Sequence, residues 1–506
     1  MQFLSVPLLS IFFLLHFILW SIWKKLKTSR GNTLNLPPGP QKLPIIGNMH
    51  QFIGYLPHRR LRDLAKKYGP IMHLQFGQVS TIVISSPETA KEIMKTHDVI
   101  FAQRPFVLVA EFIFYNRGDI LFAPYGDYWR QIRKICTLEL LSSKRVQLFR
   151  SIREEEVSNL VKSISSSAGS PVNLSKMLFS SSCSVIARAA FGKKCKDQET
   201  FIPLAKEALK MMGGFSVAEL FPSIKLLRVI TGIQYRLEKL HKRLDMVLEN
   251  IINQHRIYRA TAKTNGDQGE AEVEDIVNTL LNLQEHGNLE FPLTTNNIKA
   301  IILDVFIAGT DTSAAVVEWA MSELIKNPRA MSKAQAEVRQ VLNRKRNVEE
   351  AGLEELKYLK AVIKETLRIH PPGPLLAPRE NKEQCQINGY NIPIKTKVIV
   401  NAWAIGRDPD YWIHAEKFYP ERFLESKIDF RGSNFEFLPF GAGRRICPGL
   451  SFGIANLELP LAQLLYHFDW ELPDNSKKEE LDMREAFGAM VRRKFDLFVI
   501  PIPYNP

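Results

Sequence analysis

Apolar positions return at helical spacing over most of the chain. Residues 87–95, 128–141, 144–165, 174–191, 201–212, 232–259, 295–326, 330–342, 353–370 and 450–467 all show that spacing, and each predicts a helix. An amphipathic helix over 59–67 is stopped at Gly69-Pro70, since neither residue continues a helix well. Residues 71–76 and 81–85 alternate instead, with Gly77-Gln78 between them, which predicts a β-hairpin. Residues 261–275, TAKTNGDQGEAEVED, lack apolar content and predict a loop. With no internal repeat and no second linker, the body predicts one large, mainly α domain with a smaller β-rich part, over 37–506.

The first segment follows neither rhythm. Residues 3–23 run from Phe3 to Trp23 without a formal charge. At helical rise they span roughly 31 Å, about one bilayer core. Lys24, Lys25, Lys27 and Arg30 follow, and Trp20 and Trp23 stand where an interfacial aromatic belt would lie. A cleaved signal needs a basic start and small residues before the cut; Met1-Gln2 and the bulky run supply neither. The segment 1–23 therefore predicts an uncleaved transmembrane anchor. Positive charge after the span keeps the following chain cytosolic. A basic linker over 24–36 leads into Leu36-Pro37-Pro38-Gly39-Pro40, a stiff extended connector.

Composition narrows the classes. Of 506 residues, 45% are hydrophobic and 24% charged, which excludes a mostly disordered, collagen-like or coiled-coil chain. Lys+Arg 67 against Asp+Glu 53 gives +14, which favours an anionic partner. No basic-aromatic array or known module supports nucleic acid. The five cysteines show no CxxC spacing, so neither a disulfide framework nor a zinc ribbon is supported.

One cysteine stands apart. Phe440-Gly441-Ala442-Gly443-Arg444-Arg445-Ile446-Cys447-Pro448-Gly449 precedes the predicted helix 450–467, so Cys447 lies just before a helix N-terminus, where the dipole favours a thiolate. Gly441 and Gly443 allow backbone turns that can bring peptide N–H groups near the sulfur. A thiolate with no second ligand nearby makes a poor zinc site and suits an ion held mainly by a macrocycle. The loop matches F-x-x-G-x-R-x-C-x-G and resembles the haem-binding signature of the cytochrome P450 family. Chance agreement at the five fixed residues is on the order of 10⁻⁴ or less. The resemblance implies the cytochrome P450 fold, haem b with Cys447 as axial ligand to iron, Phe440 packed by the sulfur, and Arg445 on a haem propionate.

Distant segments fit the same family. Glu365 and Arg368 form the one ExxR of the chain, at i, i+3, and Arg422 follows in Pro420-Glu421-Arg422-Phe423. The resemblance makes these three a structural brace. Ala308-Gly309-Thr310-Asp311-Thr312 places poor helix formers mid-helix, for which function is one compensation and a kink with threonine back-bonding another. The family's oxygen-activating motif [AG]Gx[DE]T puts the catalytic acid at Asp311 and the oxygen-side hydroxyl at Thr312, with Thr310 in the variable place. Trp129 and Arg133, at i, i+4, and Arg379 match propionate-side positions.

The resemblance covers nearly the whole chain. It lies nearest plant microsomal members that hydroxylate terpenoids, through phrases such as YGDYWRQIRKICTLELLS and KYLKAVIKETLRIHPP. It implies a monooxygenase on the cytosolic face of the endoplasmic reticulum membrane, with a monomeric catalytic unit. One oxygen atom of O2 would enter a lipophilic substrate. Electrons would come from NADPH through NADPH-cytochrome P450 reductase, because the chain has no flavin or dinucleotide fingerprint of its own. Arg130, Lys134, Lys144, Arg145 and Arg444 would face that acidic partner. The apolar stretch holding Phe106, Val107 and Phe112, expected to be a loop, would wall the pocket together with Ile301, Val305, Ala308, Leu375 and Leu376. The expected substrate is a mono-, sesqui- or diterpenoid, with an indole alkaloid second. A haem-thiolate isomerase or dehydratase would not need the acid–hydroxyl pair, and a haem carrier or sensor has little reason for the apolar stretch.

Overall fold

The computed structural model describes residues 35–504 apart from 193–196, 214–215, 266–274, 346–349, 474–476 and 487. The predicted anchor 1–23 and residues 24–34 of the basic linker lie outside the described residues. The connector that follows docks on the sheet, where Pro38 O accepts from His73 N at 2.8 Å.

The centre of the molecule is the helix Thr295–Lys326, called the central helix below. Thr294 and Asn297 start it with reciprocal side-chain-to-backbone bonds, a capping box that satisfies two orphan N–H groups. It is long and apolar enough to cross a membrane, yet most of it is buried inside the protein. Helices Leu174–Phe191, Lys357–Ile369 and Leu450–His467 pack directly on it, and Arg150–Ser165 packs on the first and last of these. Surrounded this way, the central helix can be apolar all round. Val157, Leu178, Val317, Met321, Val362 and Leu461 belong to the apolar core these helices enclose.

The β-rich part joins opposite ends of the chain. Ile71–Phe76 and Val79–Ile84 form the predicted hairpin. Val79–Ile84 then pairs in parallel with Lys397–Val400, whose other edge carries Arg379–Glu380. That register, with Arg379 opposite Val398, anchors an arginine expected at the site to a rigid sheet.

Several predicted helices end or break differently. The stretch 128–141 is an α-helix only over Asp127–Lys134 and continues as a π-helical turn over Ile135–Leu140. The stretch 144–165 splits into Ser143–Leu148 and Arg150–Ser165 at Phe149, which is buried edge-on against Phe452. Residues Glu350–Glu355 form a 3₁₀ turn ahead of Lys357–Ile369. The segment expected to be an apolar loop contains a short helix, Leu108–Phe112, whose first amide is taken by Glu219 Oε1 at 2.7 Å. The helix predicted over 232–259 runs as Ile233–Asn265, into the stretch expected to be a loop. Thr261 Oγ1 donates back to Ile257 O there at 2.9 Å.

Candidate active site

The cysteine loop is closed from within. Cys447 N donates to Phe440 O at 3.0 Å and Ile446 N to Gly443 O at 3.0 Å. Gly441 and Gly443 have φ of 71° and 69°, the left-handed region that glycine enters freely. Gly443 has a second constraint: a Cβ there would stand 2.1 Å from Met94 O and 2.9 Å from Asp98 Oδ1. Asp98 holds the loop from outside, accepting from Arg444 N at 2.7 Å. Gly449, whose amide acts on the Cys447 sulfur, is the N-cap of Leu450–His467. Burial pushes the Cys447 thiol up, while the Gly449 N–H and the charge of Arg133 pull it down. Phe440 packs edge-on against Phe430, with centroids 5.4 Å apart.

Opposite chemistry comes from the central helix. Between Ile298 and Ile325 it is buried except at Val305, Ala308, Gly309 and Thr312. These positions are i, i+3, i+4 and i+7, one uncovered strip along one face. Thr312 Oγ1 donates to Ala308 O at 2.6 Å. Thr310 is buried on another side, where Ser182 Oγ donates to Thr310 O at 2.9 Å. Gly309 serves helix packing, since a Cβ would lie 2.7 Å from Ile186 Cδ1. Asp311 is buried on the flank of the strip and is ion-paired with Arg492, whose Nε lies 2.8 Å from Asp311 Oδ2. Sequence reasoning missed Arg492, and nothing local marks it.

The third part is a crowd of buried arginines. Arg379 pairs with Asp98 at 2.8 Å and donates to Ala442 O at 2.7 Å. Arg445 donates to the carbonyls of Ala102, Ile120 and Ala123 at 2.9, 3.2 and 2.6 Å. Arg104, also unforeseen, donates to Leu121 O, Ala377 O and Pro378 O at 2.9, 2.7 and 2.7 Å. Burial and the neighbouring Arg379 lower Arg445 to about 9, and Arg104 is depressed by burial, Arg445 and Arg379. Trp129 gives its Nε1–H to Ile120 O at 3.0 Å, and the Arg445 guanidinium stands 4.3 Å from the centre of its ring.

The brace is fully formed. Arg368 donates through Nε and Nη2 to the two carboxylate oxygens of Glu365, each at 2.8 Å, and Arg422 Nε reaches Glu365 Oε1 at 3.1 Å. Arg368 also holds the carbonyls of Gly406 and Ala415 at 2.6 and 2.7 Å.

The expected pocket wall is only partly assembled. Val305 and Ala308 lie on the strip, and Leu376 borders the cysteine loop, with its Cδ1 3.8 Å from where a Gly441 Cβ would be. Ile301 is wholly buried, and Val107 and Phe112 are half-buried, Phe112 against the same apolar cluster. Leu375 packs beneath the hairpin with Leu61 and Met72. Phe106 stands at the surface instead, where it takes the Arg228 guanidinium 5.2 Å from its ring centre.

A half-buried single-sulfur donor, an uncovered strip of small residues and mutually repelling guanidiniums fit one group: a flat, dianionic macrocycle whose metal needs one protein ligand. Among the described residues no three His, Cys, Asp or Glu side chains gather as an alternative metal site. The fold and site thus define a haem-thiolate protein.

The comparisons agree. A family model described as Cytochrome P450 matches residues 37–497. Premnaspirodiene oxygenase of Hyoscyamus muticus is 54% identical over 506 residues, covering 100% of this chain and 99% of that protein. Tabersonine 16-hydroxylase 2 of Catharanthus roseus is 54% identical over 485 residues, 95% of each chain. A zebra fish cytochrome P450 solved with abiraterone superposes with a TM-score of 0.74 at 25% identity, covering 89% of this chain and 99% of that one. The chain belongs to the cytochrome P450 family. It is a haem- and O2-dependent monooxygenase that takes its electrons from a reductase and acts on a lipophilic substrate.

Proposed function

We propose that this enzyme oxygenates a mono-, sesqui- or diterpenoid at the uncovered strip of the central helix, with Cys447 as the ligand to haem iron. The observation that carries the reading is that one helix, otherwise buried, leaves open the residues Val305, Ala308, Gly309 and Thr312. Bound haem under thiolate ligation supplies the activation of O2 with two electrons that originate in NADPH. The rest is the work of side chains. Gly449 N–H and Arg133 favour the anionic sulfur. Arg379, Arg445 and Arg104 carry charge for the propionates, with Trp129 stacked under Arg445. Phe440 and Gly441 shape the loop on the sulfur side. Thr312 Oγ presents a hydroxyl on the strip, and Asp311 supplies the acid beside it. Arg492, whose side chain is about one-third exposed, links that acid to solvent. Glu365, Arg368 and Arg422 hold the surrounding backbone and take no part in the chemistry.

The terpenoid reading rests on the likeness to premnaspirodiene oxygenase and on the apolar wall. An indole alkaloid is the second reading, favoured by the equal identity of tabersonine 16-hydroxylase 2. We place the catalytic domain over 37–506 and its electron donor in NADPH-cytochrome P450 reductase. Arg130 and Arg444 both lie within 6 Å of the Tyr125 ring, on one exposed basic face. Lys134 and Lys144 are exposed too, whereas Arg145 is half-buried and donates to Thr279 Oγ1 at 3.0 Å. The single-pass anchor 1–23 would hold the enzyme on the endoplasmic reticulum with its body in the cytosol. Exposed Leu226, Val229 and Ile230 on the short helix Leu226–Ile230 favour a membrane-facing side.

Microsomes with reductase and NADPH, given terpenoid and indole alkaloid panels and read by mass spectrometry, test the substrate. Oxygenated terpenoid products are expected, and turnover of alkaloids alone would overturn the first reading. Cys447→Ala should abolish the thiolate-specific absorption of the reduced CO complex; survival of that band would remove the ligand assignment.

A further inference from the structure

Asp304 lies in the central helix immediately before Val305, the first residue of the uncovered strip, and is buried. Its Oδ2 accepts from two backbone amides of another segment, Ile120 N at 2.7 Å and Leu121 N at 3.3 Å. Asp119, wholly buried, accepts the next amide: Phe122 N reaches its Oδ2 at 2.9 Å. The carbonyls of the same residues receive the arginine crowd. Ile120 O takes Trp129 Nε1 at 3.0 Å and Arg445 Nη1 at 3.2 Å. Leu121 O takes Arg104 Nε at 2.9 Å, and Phe122 O takes Arg117 Nε at 3.0 Å.

Two peptide planes therefore carry a carboxylate at one end and a guanidinium at the other. In the 120–121 peptide, the Leu121 N–H meets Asp304 while the Ile120 carbonyl meets Arg445 and Trp129. In the 121–122 peptide, the Phe122 N–H meets Asp119 while the Leu121 carbonyl meets Arg104. Hydrogen bonds in such a chain polarise one another, so an acceptor at the N–H makes the carbonyl a better acceptor in turn. Burial raises the Asp119 carboxyl to about 7, opposed by the Phe122 amide and by Arg117 and Arg445. Burial and the Asp119 charge raise Asp304. These acids stand apart from the cysteine and from the oxygen-side acid Asp311.

We propose that Asp304 is a positioning residue for the haem seat: through the peptides of residues 119–122 it fixes where Arg445, Trp129 and Arg104 stand, and so ties the central helix to the propionate side. The proposal rests on the cysteine loop being that seat.

The test uses the full-length ferric holoprotein and measures haem release to an excess of apomyoglobin. Asp304→Leu, which removes the acceptor, should speed release roughly 10–100-fold, the usual penalty for losing a residue that orients a ligand-holding group. Asp304→Asn, which keeps an oxygen for the amides, should stay within about threefold of wild type. Release from folded Asp304→Leu at the wild-type rate would overturn the proposal. Wild-type protein that carries no haem would instead overturn the haem reading itself. Should Asp304→Leu not fold, the decision passes to a cycle of Asp304→Ala, which removes the acceptor without adding bulk, with Arg445→Lys. A double variant no faster than the worse single supports the link, and effects that multiply independently refute it. A merely structural Asp304 would show no dependence on Arg445.

Discussion

Removing the carboxylate of Glu365 is the sharpest test of what holds this site in place. Both Glu365 and Arg368 side chains are fully buried. Glu365 Oε1 accepts from Arg368 Nη2 and Tyr419 N at 2.8 Å each and from Arg422 Nε at 3.1 Å, while Oε2 accepts from Arg368 Nε at 2.8 Å. Glu365→Ala leaves the Arg368 guanidinium in the interior without a counter-ion, which costs about 3–5 kcal/mol. The orphaned Tyr419 amide adds about 1–3 kcal/mol. Set against a total stability of about 5–15 kcal/mol, that loss should leave little folded protein. Glu365→Gln keeps an oxygen for Tyr419 but turns an amide toward Arg368, so about 3 kcal/mol is expected. The double change Glu365→Leu with Arg368→Leu should not recover stability, because the carbonyls of Gly406 and Ala415 then lose their donor. Urea denaturation of detergent-solubilised apo-protein, followed by circular dichroism, gives these differences. A Glu365→Ala loss below about 1 kcal/mol would show that Arg368 finds other compensation and that the brace is misjudged.

Other outcomes follow from single positions. Gly443→Ala forces a side chain to φ 69° and to within 2.1 Å of Met94 O, so the holoprotein should fail to accumulate its Soret band; normal haem content would refute the close approach. Thr312→Ala removes the one hydroxyl on the strip and should lower product formed per NADPH by about tenfold or more, measured beside oxygen uptake, with unchanged coupling refuting the role. Burial pushes the Glu485 carboxyl up, but bonds from His58 at 3.0 Å and Arg59 at 2.7 Å bring it down to about 2. Its folded-state pKa lies below the unfolded value, so it adds stability above about pH 4.5 that fades as the pH falls toward 2. The contribution is roughly 3 kcal/mol. Glu485→Gln should flatten that acid limb in melting experiments from pH 5 to 2, and an unchanged slope would refute the assignment.

The arginine crowd shows why a loop and a helix far apart in sequence serve one site. Arg445 finds no carboxylate in its own hydrogen bonds, only three carbonyls: Ala102, and Ile120 and Ala123 in the segment that Asp304 and Asp119 hold by its amides. On the proposal above, a displacement of the central helix would be felt by Arg445, Trp129 and Arg104.

Local chemistry alone determined much of this protein. The order of residues in the cysteine loop was enough to point to the family, because Gly441, Gly443, Arg445 and Cys447 stand at fixed spacings within one turn-rich stretch, although the contacts that fix Gly443 and Arg445 come from residues 94–123. The central helix and Leu450–His467 were legible to their ends, since apolar periodicity, a capping box at Thr294 and a glycine before Leu450 act over single turns. Tertiary structure decided the rest. Phe149 breaks a continuous helical pattern because its ring must reach Phe452 from another helix. Leu108–Phe112 is helical because Glu219, distant in sequence, caps it. Phe106 lies outside and Ile301 inside a wall that looked uniformly apolar, since hydrophobicity does not say which way a side chain faces. Arg104, Asp98, Arg492 and Asp304 carry no local mark at all. Their meaning is a matter of burial and of which charges the fold sets beside them, and electrostatic energy in a low-dielectric interior depends on those distances and not on neighbours along the chain.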